Sequence, residues 1–322
     1  MSGDRARPLS GIRLLVTGAA GFIGSNLTER LCRDGAEVLM YDNLSSGKRG
    51  FVERLKELGA GFAEGDVLDR HTLLKAMKSH KPYAVFHFAA NPAVSAMAAD
   101  PVREGIASTY SVLECMRLAS VRRMVFPSSQ SVYGNAAIRP TPESYGPLRP
   151  ISMYASMKLA SEALISSFSH MNGLDFNIFR LGNVVGRNMT HGAAYDFVRK
   201  LKNNGKVLDV LGSGAQKKDY VDIDDAIGAI LYIVGSEKRK NDIFNVGSVD
   251  QISVREIAEM AVEKVSKGAR IRYQKNDEGW PGDIVDNFIS IDKLIGAGFT
   301  PRMNSSQAIS NALDSILENW QE

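Results

Sequence analysis

The chain has 322 residues, of which 44% are hydrophobic and 23% charged, with 29 glycines and a net charge of +3. That length allows one large domain or two moderate ones. The 39 basic and 36 acidic residues nearly cancel and are scattered along the chain, which argues against nucleic acid as a partner.

Residues 1–10 are polar and lack an apolar core, so neither a signal peptide nor a membrane span is expected there, and a cytoplasmic protein is. An apolar run at 12–17 reads as a buried strand and 22–33 as a helix. A strand at 37–41, a helix at 51–58 and strands at 60–65 and 84–88 follow. The pattern continues with a helix over 102–119, a strand over 123–127, a long helix over 154–171 and a strand over 175–180. Apolar strands separated by amphipathic helices predict a parallel sheet covered on both faces, an α/β, doubly wound fold. After Leu181 the alternation becomes irregular, which predicts a second, smaller lobe. Residues 242–246 look like one more strand returning to the sheet, and 305–320 like a closing helix.

Cys32 and Cys115 sit among apolar neighbours and read as buried free thiols. No spacing of Cys and His suits a metal. His87 lies inside an apolar strand and reads as a satisfied core histidine, and the run Lys238-Arg239-Lys240 as a solvated loop.

Thr17-Gly18-Ala19-Ala20-Gly21-Phe22-Ile23-Gly24 joins the first strand to the first helix. Gly18, Gly21 and Gly24 permit a tight turn, close approach of a pyrophosphate and close packing of helix on strand. The helix N-terminus, at Phe22 and Ile23, then offers free N–H groups to phosphates. This is the fingerprint of a Rossmann dinucleotide site. Asp42 ends the second strand, where a carboxylate accepts the ribose hydroxyls of NAD and repels the 2′-phosphate of NADP. Its alternative is a turn residue paired with Asn43, and Lys48 and Arg49 keep NADP open. Asp66-Val67 and Ala89-Ala90 end the third and fourth strands, beside adenine and the cofactor backbone, or serve as turn and packing residues.

Tyr154 and Lys158 open a helix at i, i+4, so phenol and ammonium share one face. A tyrosine titrates near 10, and a neighbouring cation brings it toward the working range of a general base. Such a pair alone means little. Its weight comes from Phe126-Pro127-Ser128-Ser129-Gln130-Ser131-Val132-Tyr133-Gly134, which ends the fifth strand and puts hydroxyls at the edge that carries the glycine loop.

With these motifs the chain resembles the extended short-chain dehydrogenases/reductases. It is most similar to the NAD-dependent nucleotide-sugar epimerases, especially archaeal and bacterial UDP-glucose 4-epimerase-like enzymes. Further matching stretches are Tyr41-Asp42-Asn43-Leu44, Phe86-His87-Phe88-Ala89-Ala90, Arg180-Leu181-Gly182-Asn183-Val184-Val185-Gly186, Lys218-Asp219-Tyr220-Val221 and Gly279-Trp280-Pro281-Gly282-Asp283. The resemblance implies catalytic Ser129, Tyr154 and Lys158, with Lys158 also holding the nicotinamide ribose of NAD. It implies Ser129, Ser131, Tyr154, Asn183, Lys218 and Asp283 on the sugar nucleotide. Two positions depart from the family: Lys218 replaces an arginine near the phosphates, and Gly105 replaces an asparagine beside the active site. An NAD-binding domain over 11–181, with a returning segment near 220–248, and a sugar-nucleotide-binding lobe over 182–219 and 249–322 are expected. The helices over 102–119 and 154–171 resemble those that pair across the family's homodimer.

The implied reaction is 4-epimerisation, with UDP-glucose and UDP-galactose interconverted through a 4-keto sugar. A dehydratase needs an Asp-Glu pair where this chain has Gln130-Ser131. A UDP-glucuronate or UDP-N-acetylhexosamine 4-epimerase remains as an alternative, followed by a nucleotide-sugar dehydratase/reductase and a non-catalytic NAD-binding protein. Asn287 falls near the position that sets room for a C2 substituent, or is merely solvated.

Overall fold

The structure is a computed structural model that describes residues 9–90 and 99–320, without the side chains of 99–101. The described residues divide into two compact units: the first comprises those up to Ser128 with Met153–Phe179 and Ile230–Ile243, the second Ser129–Ser152, Arg180–Ala229 and those from Phe244 onward.

In chain order the first half runs β1 (Arg13–Thr17), α1 (Phe22–Arg33), β2 (Glu37–Asp42), α2 (Arg49–Glu57), β3 (Gly61–Glu64), α3 (Arg70–His80) and β4 (Ala84–His87). Next come α4 (Ala99–Leu118), β5 (Arg123–Ser129), α5 (Met153–Asn172) and β6 (Asp175–Leu181). A seven-stranded sheet has the order Asp242–Val246, β6, β5, β4, β1, β2, β3. The pairs β2–β3, β1–β2, β1–β4 and β4–β5 are parallel, so the α/β fold expected from the alternation is the one observed. The chain steps from β1 outward to β2 and β3, then returns to β4 on the other side. That reversal opens a crevice at the carboxyl ends of β1 and β4, where open parallel sheets bind ligands. The strands are apolar because helices cover them: Leu15, Tyr41, Val85, Met124 and Phe126 share one core with Leu113, Met116 and Ile165. Cys115 lies in that core, but Cys32 is only half-buried, because α1 turns this position toward its rim. Both are free thiols.

The second unit carries β7 (Asn183–Val185), α6 (Ala193–Asn203), β8 (Val207–Val210), β9 (Lys217–Lys218), β10 (Tyr220–Asp222) and the start of α7 (Ile223–Val234). After β11 (Asp242–Val246) follow β12 (Ile252–Ser253), α8 (Val254–Val265), β13 (Arg270–Tyr273), β14 (Asp286–Asn287), α9 (Asp292–Gly296) and α10 (Ser305–Glu318). Its small sheets pair β7 with β10, β8 with β13, and β9 with both β12 and β14. Capping boxes at Ser253–Glu256 and Asn304–Gln307 start α8 and α10 sharply, by satisfying orphan N–H groups. Asp225, 1% exposed at its side chain, accepts from the backbone N–H groups of Arg302 and Met303 and from Arg302 Nε, which anchors the approach to α10.

The boundaries differ from those expected of the chain. Residues 129–152 leave the first domain because Thr141 N donates to Phe288 O and Ser290 N to Thr141 O, at 2.8 and 2.9 Å. The segment that returns to the first unit is Ile230–Ile243 rather than 220–248. It is held there by Arg123 Nη2 donating to Val234 O and by Asn241 N donating to Phe176 O.

Candidate functional site

The three motif glycines do three different things. Gly18 has φ +69°, and a Cβ there would lie 2.5 Å from Ala89 N, so backbone fills the space. A Cβ on Gly24 would overlap the Gly18 carbonyl, which lets α1 lie close on the turn. Gly21 has an ordinary φ, and a Cβ there would meet only Gly18 O, at 3.3 Å. Its bare Cα is open to an incoming group. Gly21 is also the N-cap of α1, with no side-chain cap and no acidic residue in the first turn. By contrast, the N-cap Asp69 of α3 accepts from His71 N and Thr72 N. The α1 amides thus keep their affinity for an anion, the condition a pyrophosphate requires.

Asp42, 8% exposed, is bound into this loop: Ala20 N donates to Oδ2 at 2.9 Å and Leu44 N to Oδ1 at 2.8 Å. A carboxylate accepts about four hydrogen bonds, so capacity remains for the hydroxyls of a ribose. Arg49 is engaged by Glu64, and Lys48 lies over the Phe51 ring. Asn43 Nδ2 donates to Asp66 Oδ2, which joins the ends of β2 and β3. Val67 O accepts from Ser111 Oγ. Ala89 N donates to Thr17 Oγ1, which also meets His87 Nδ1 at 2.8 Å. Ala90 is half-buried, as is Ile23, while Phe22 is buried. His87 is a core residue, but only one nitrogen is satisfied: among the described residues Nε2 has no partner, and burial pushes the imidazole down to about 3. It is a neutral histidine.

Lys158 is 4% exposed. Its Nζ donates to Pro127 O at 2.8 Å and lies 4.7 Å from the Phe126 ring centroid and 5.8 Å from that of Tyr154. Burial pulls its ammonium down to about 8, while the Glu162 charge opposes the fall. Glu162, one turn further along α5, accepts from Ser128 Oγ at 2.5 Å. Lysine, tyrosine and a buried glutamate thus share one helix at four-residue steps. Glu162 was legible as an i+4 neighbour of Lys158 but carried no motif of its own. The family departure at Gly105 has a local explanation: a Cβ there would collide with the Met157 thioether, which fills the space.

In the second unit Ser129 caps a short 3₁₀ turn over Gln130–Tyr133, and its Oγ accepts from Ser131 N and from Ser131 Oγ at 2.9 Å. Tyr133 OH donates to Asn245 Oδ1 at 2.7 Å, which pins the far end of the turn. Asn183 Nδ2 donates to Asp219 O at 3.0 Å. Lys218 and Asp283 are brought together as an ion pair of 2.5 Å, and Lys218 Nζ stands 4.8 Å over the Trp280 ring. Gly279 N donates to the other oxygen, Asp283 Oδ2. Asn287 is 8% exposed, hence not a solvated surface residue. His191 is exposed at its surface, although desolvation by its neighbours pulls the imidazole down.

These features find their counterparts in known proteins. A model of the NAD dependent epimerase/dehydratase family matches residues 14–247. The UDP-glucose 4-epimerase of Mycolicibacterium smegmatis is 34% identical over 254 residues, covering 76% of this chain and 80% of that one. A UDP-galactose 4-epimerase of known structure superposes with a TM-score of 0.85 at 35% identity, covering 96% of this chain and all of the other (100%). The UDP-glucose 4-epimerase of Thermus thermophilus, in complex with NAD, superposes with a TM-score of 0.86 at 30% identity, again covering 96% of this chain and 100% of that one. The open Gly21, the uncapped α1 N-terminus and the acceptor Asp42 fit NAD, which is the cofactor of this chain. The chain belongs to the NAD dependent epimerase/dehydratase family.

Proposed function

We propose that this NAD-dependent nucleotide-sugar 4-epimerase interconverts UDP-glucose and UDP-galactose through a 4-keto sugar. The observation that carries epimerisation is the turn at 129–131. It offers hydroxyl, amide and hydroxyl, and Gln130, 4% exposed, is turned into the protein. Neither position can remove a C5 proton or expel a 6-hydroxyl, as dehydration requires.

Gly18, Gly21, Phe22, Ile23, Gly24, Asp42, Asn43, Asp66, Val67, Ala89 and Ala90 are the cofactor-binding set, with Tyr154 and Lys158 on the nicotinamide side. Bound NAD supplies a hydride acceptor that later gives the hydride back. Tyr154 Oη takes the proton of the sugar 4-hydroxyl and returns it to the 4-keto oxygen. Lys158 favours the phenolate form of Tyr154 by its charge and binds the nicotinamide ribose. Ser129 hydrogen-bonds the reacting sugar oxygen, while Ser131 and Asn183 bind the sugar nucleotide and Lys218 and Asp283 its nucleotide end. We place NAD- and sugar-nucleotide-binding in the first and second units respectively.

The test is incubation with UDP-glucose, without added reductant, followed by chromatography for UDP-galactose. Interconversion that disappears in Tyr154→Phe supports the reading; no conversion in a protein that retains NAD counts against it. A second reading, UDP-glucuronate as substrate, is favoured by the paired hydroxyls of Ser129 and Ser131, which suit a carboxylate. UDP-N-acetylhexosamines belong in the same assay.

A homodimer through α4 and α5 is part of this proposal. Tyr110, 42% exposed, packs edge-on against Phe168, which leaves aromatic surface on that pair of helices. Sedimentation as a monomer at micromolar concentration would contradict it. No helix among the described residues is long and apolar enough to cross a membrane. With two free thiols, a reducing cytoplasm suits the chain.

A further inference from the structure

Asp219 is the most deeply buried acid of the second unit, at 0% exposure, and the reaction above gives it no part. A Cβ on either Gly182 or Gly247 would collide with its Oδ2, so backbone on two sides encloses the carboxyl. Among the described residues, neither Asp219 oxygen has a well-formed hydrogen bond, and neither does Gln130 Oε1. Gln130 meets the Asp219 carboxyl with its amide N–H side, and exchange of the amide oxygen and nitrogen, which have the same shape, turns the unpartnered Oε1 to that carboxyl instead. A buried carboxylate without a well-formed hydrogen bond is costly, and so is a buried amide oxygen. One proton removes both costs: an Asp219 hydroxyl supplies the donor that the Gln130 oxygen lacks.

We infer that Asp219 is a positioning residue, a neutral carboxylic acid that donates to Gln130 and so fixes the turn carrying Ser129 and Ser131. The turn is then held at both ends, by Asp219 through Gln130 and by Asn245 through Tyr133. The same residue also receives Asn183, whose N and Nδ2 both donate to Asp219 O. Ionisation would place an unpaired negative charge beneath residues assigned to an anionic substrate. In this last respect the inference rests on the epimerase reading.

The surroundings support the neutral form. Burial pushes the carboxyl up to about 7, and the charge of Asp250 adds to the rise. The N–H groups of Asp219 itself and Ser248, together with Gln130, pull the other way. The adjoining cation, Lys218, is committed to Asp283, and Tyr220 OH is held neutral by burial and by the charge of Asp283.

Three measurements test this. Between about pH 4 and pH 7 the folded chain holds a proton that the unfolded chain has released, so this group makes stability fall as pH rises. Asp219→Asn removes that dependence, and its stability relative to wild type therefore climbs across the window, by up to about tenfold per pH unit in the unfolding equilibrium constant. Second, the ratio of wild-type to Asp219→Asn kcat/KM for UDP-glucose falls as pH rises above neutral, because asparagine keeps a donor for Gln130 at every pH. Third, carbon-13 NMR of wild-type protein labelled at aspartate carboxyls shows one carboxyl titrating near neutral pH, whether or not the variant folds. Parallel stability curves, parallel activity profiles or the absence of a near-neutral aspartate would each overturn the inference. Should wild-type protein turn over no UDP-sugar, the epimerase reading fails while stability and NMR still decide the state of Asp219.

Discussion

In the first unit the charges assigned to NAD chemistry are held by backbone: Lys158 donates to Pro127 O, and Asp42 accepts from Ala20 N and Leu44 N. In the second unit Lys218 is held by other side chains, by Asp283 and the ring of Trp280, while Ser129 is held by both the hydroxyl and the amide of Ser131. Backbone partners come with the strand ends and cannot be changed by substitution, so the NAD side is set by the fold. Side-chain partners can be exchanged one at a time, so Lys218, proposed for the sugar nucleotide, is the adjustable position. Lys218, where the resemblance implies an arginine, illustrates the point, since the departure is matched by a neighbouring side chain, Asp283.

The comparison can be broken at the proton carrier first. Tyr154→Phe is expected to lower kcat by about 10²–10⁴-fold while NAD remains bound, as read by turnover and by nucleotide released on denaturation. A variant that loses NAD in parallel would show that Tyr154 holds cofactor rather than moving a proton.

Lys158 gives a pH signature. Its ammonium, lowered to about 8 by burial, is charged below that value and neutral above it. Support for the Tyr154 phenolate is therefore lost as pH rises through about 8, and kcat should decline there. The same shift acts oppositely on stability. Between about 8 and 10.5 the unfolded chain keeps a proton the folded chain has shed, so this group raises stability with pH. Loss of both limbs in Lys158→Met would identify the residue.

Glycine substitutions separate folding from binding. Gly18→Ala, at positive φ and against Ala89 N, should cost about 1–3 kcal/mol of stability, read by denaturant titration. Gly21→Ala meets no backbone closer than 3.3 Å, so it should fold normally and lose NAD affinity alone. Equal destabilisation by both would refute the division of labour among the three glycines.

At the adjustable position, Lys218→Ala should raise the KM for UDP-glucose by about tenfold or more with kcat little changed, the loss of one charged contact. An effect on stability alone is expected at the α4–α5 contact. Gly105→Asn should destabilise by about 1–3 kcal/mol through overpacking, and Met157→Ser in the same chain should restore it. No rescue would mean that Met157 is not what fills the Gly105 space.

Most of the first unit was legible because its signals are local. The strand-to-helix glycines, the acid ending β2 and the Tyr154–Lys158 step each lie within a few residues, and α1 and β11 have the bounds that their apolar patterns predict. The residues gathered in the second unit carry little local signal. Lys218 and Asp283 are 65 positions apart, and Tyr133 and Asn245 are 112 apart. Nothing near Asp219 in the sequence says that its carboxyl lies against glycines 37 residues before it and 28 after it (219 − 182 and 247 − 219). Cys32 has the apolar neighbours of a core residue, yet the helix turns it to the rim.

By itself, then, the sequence determined the alternation of strand and helix, the glycine turn proposed for NAD and the pairing of phenol with ammonium. These follow from periodicity, glycine stereochemistry and helical spacing, which act over one or two turns of chain. Tertiary structure alone decided that residues 129–152 join the second unit, that Lys218 spends its charge on Asp283, and that Asp219 is shut away from water. Charge state and partner choice depend on what lies across space, and desolvation, which sets both, exists only once distant segments have closed around a group.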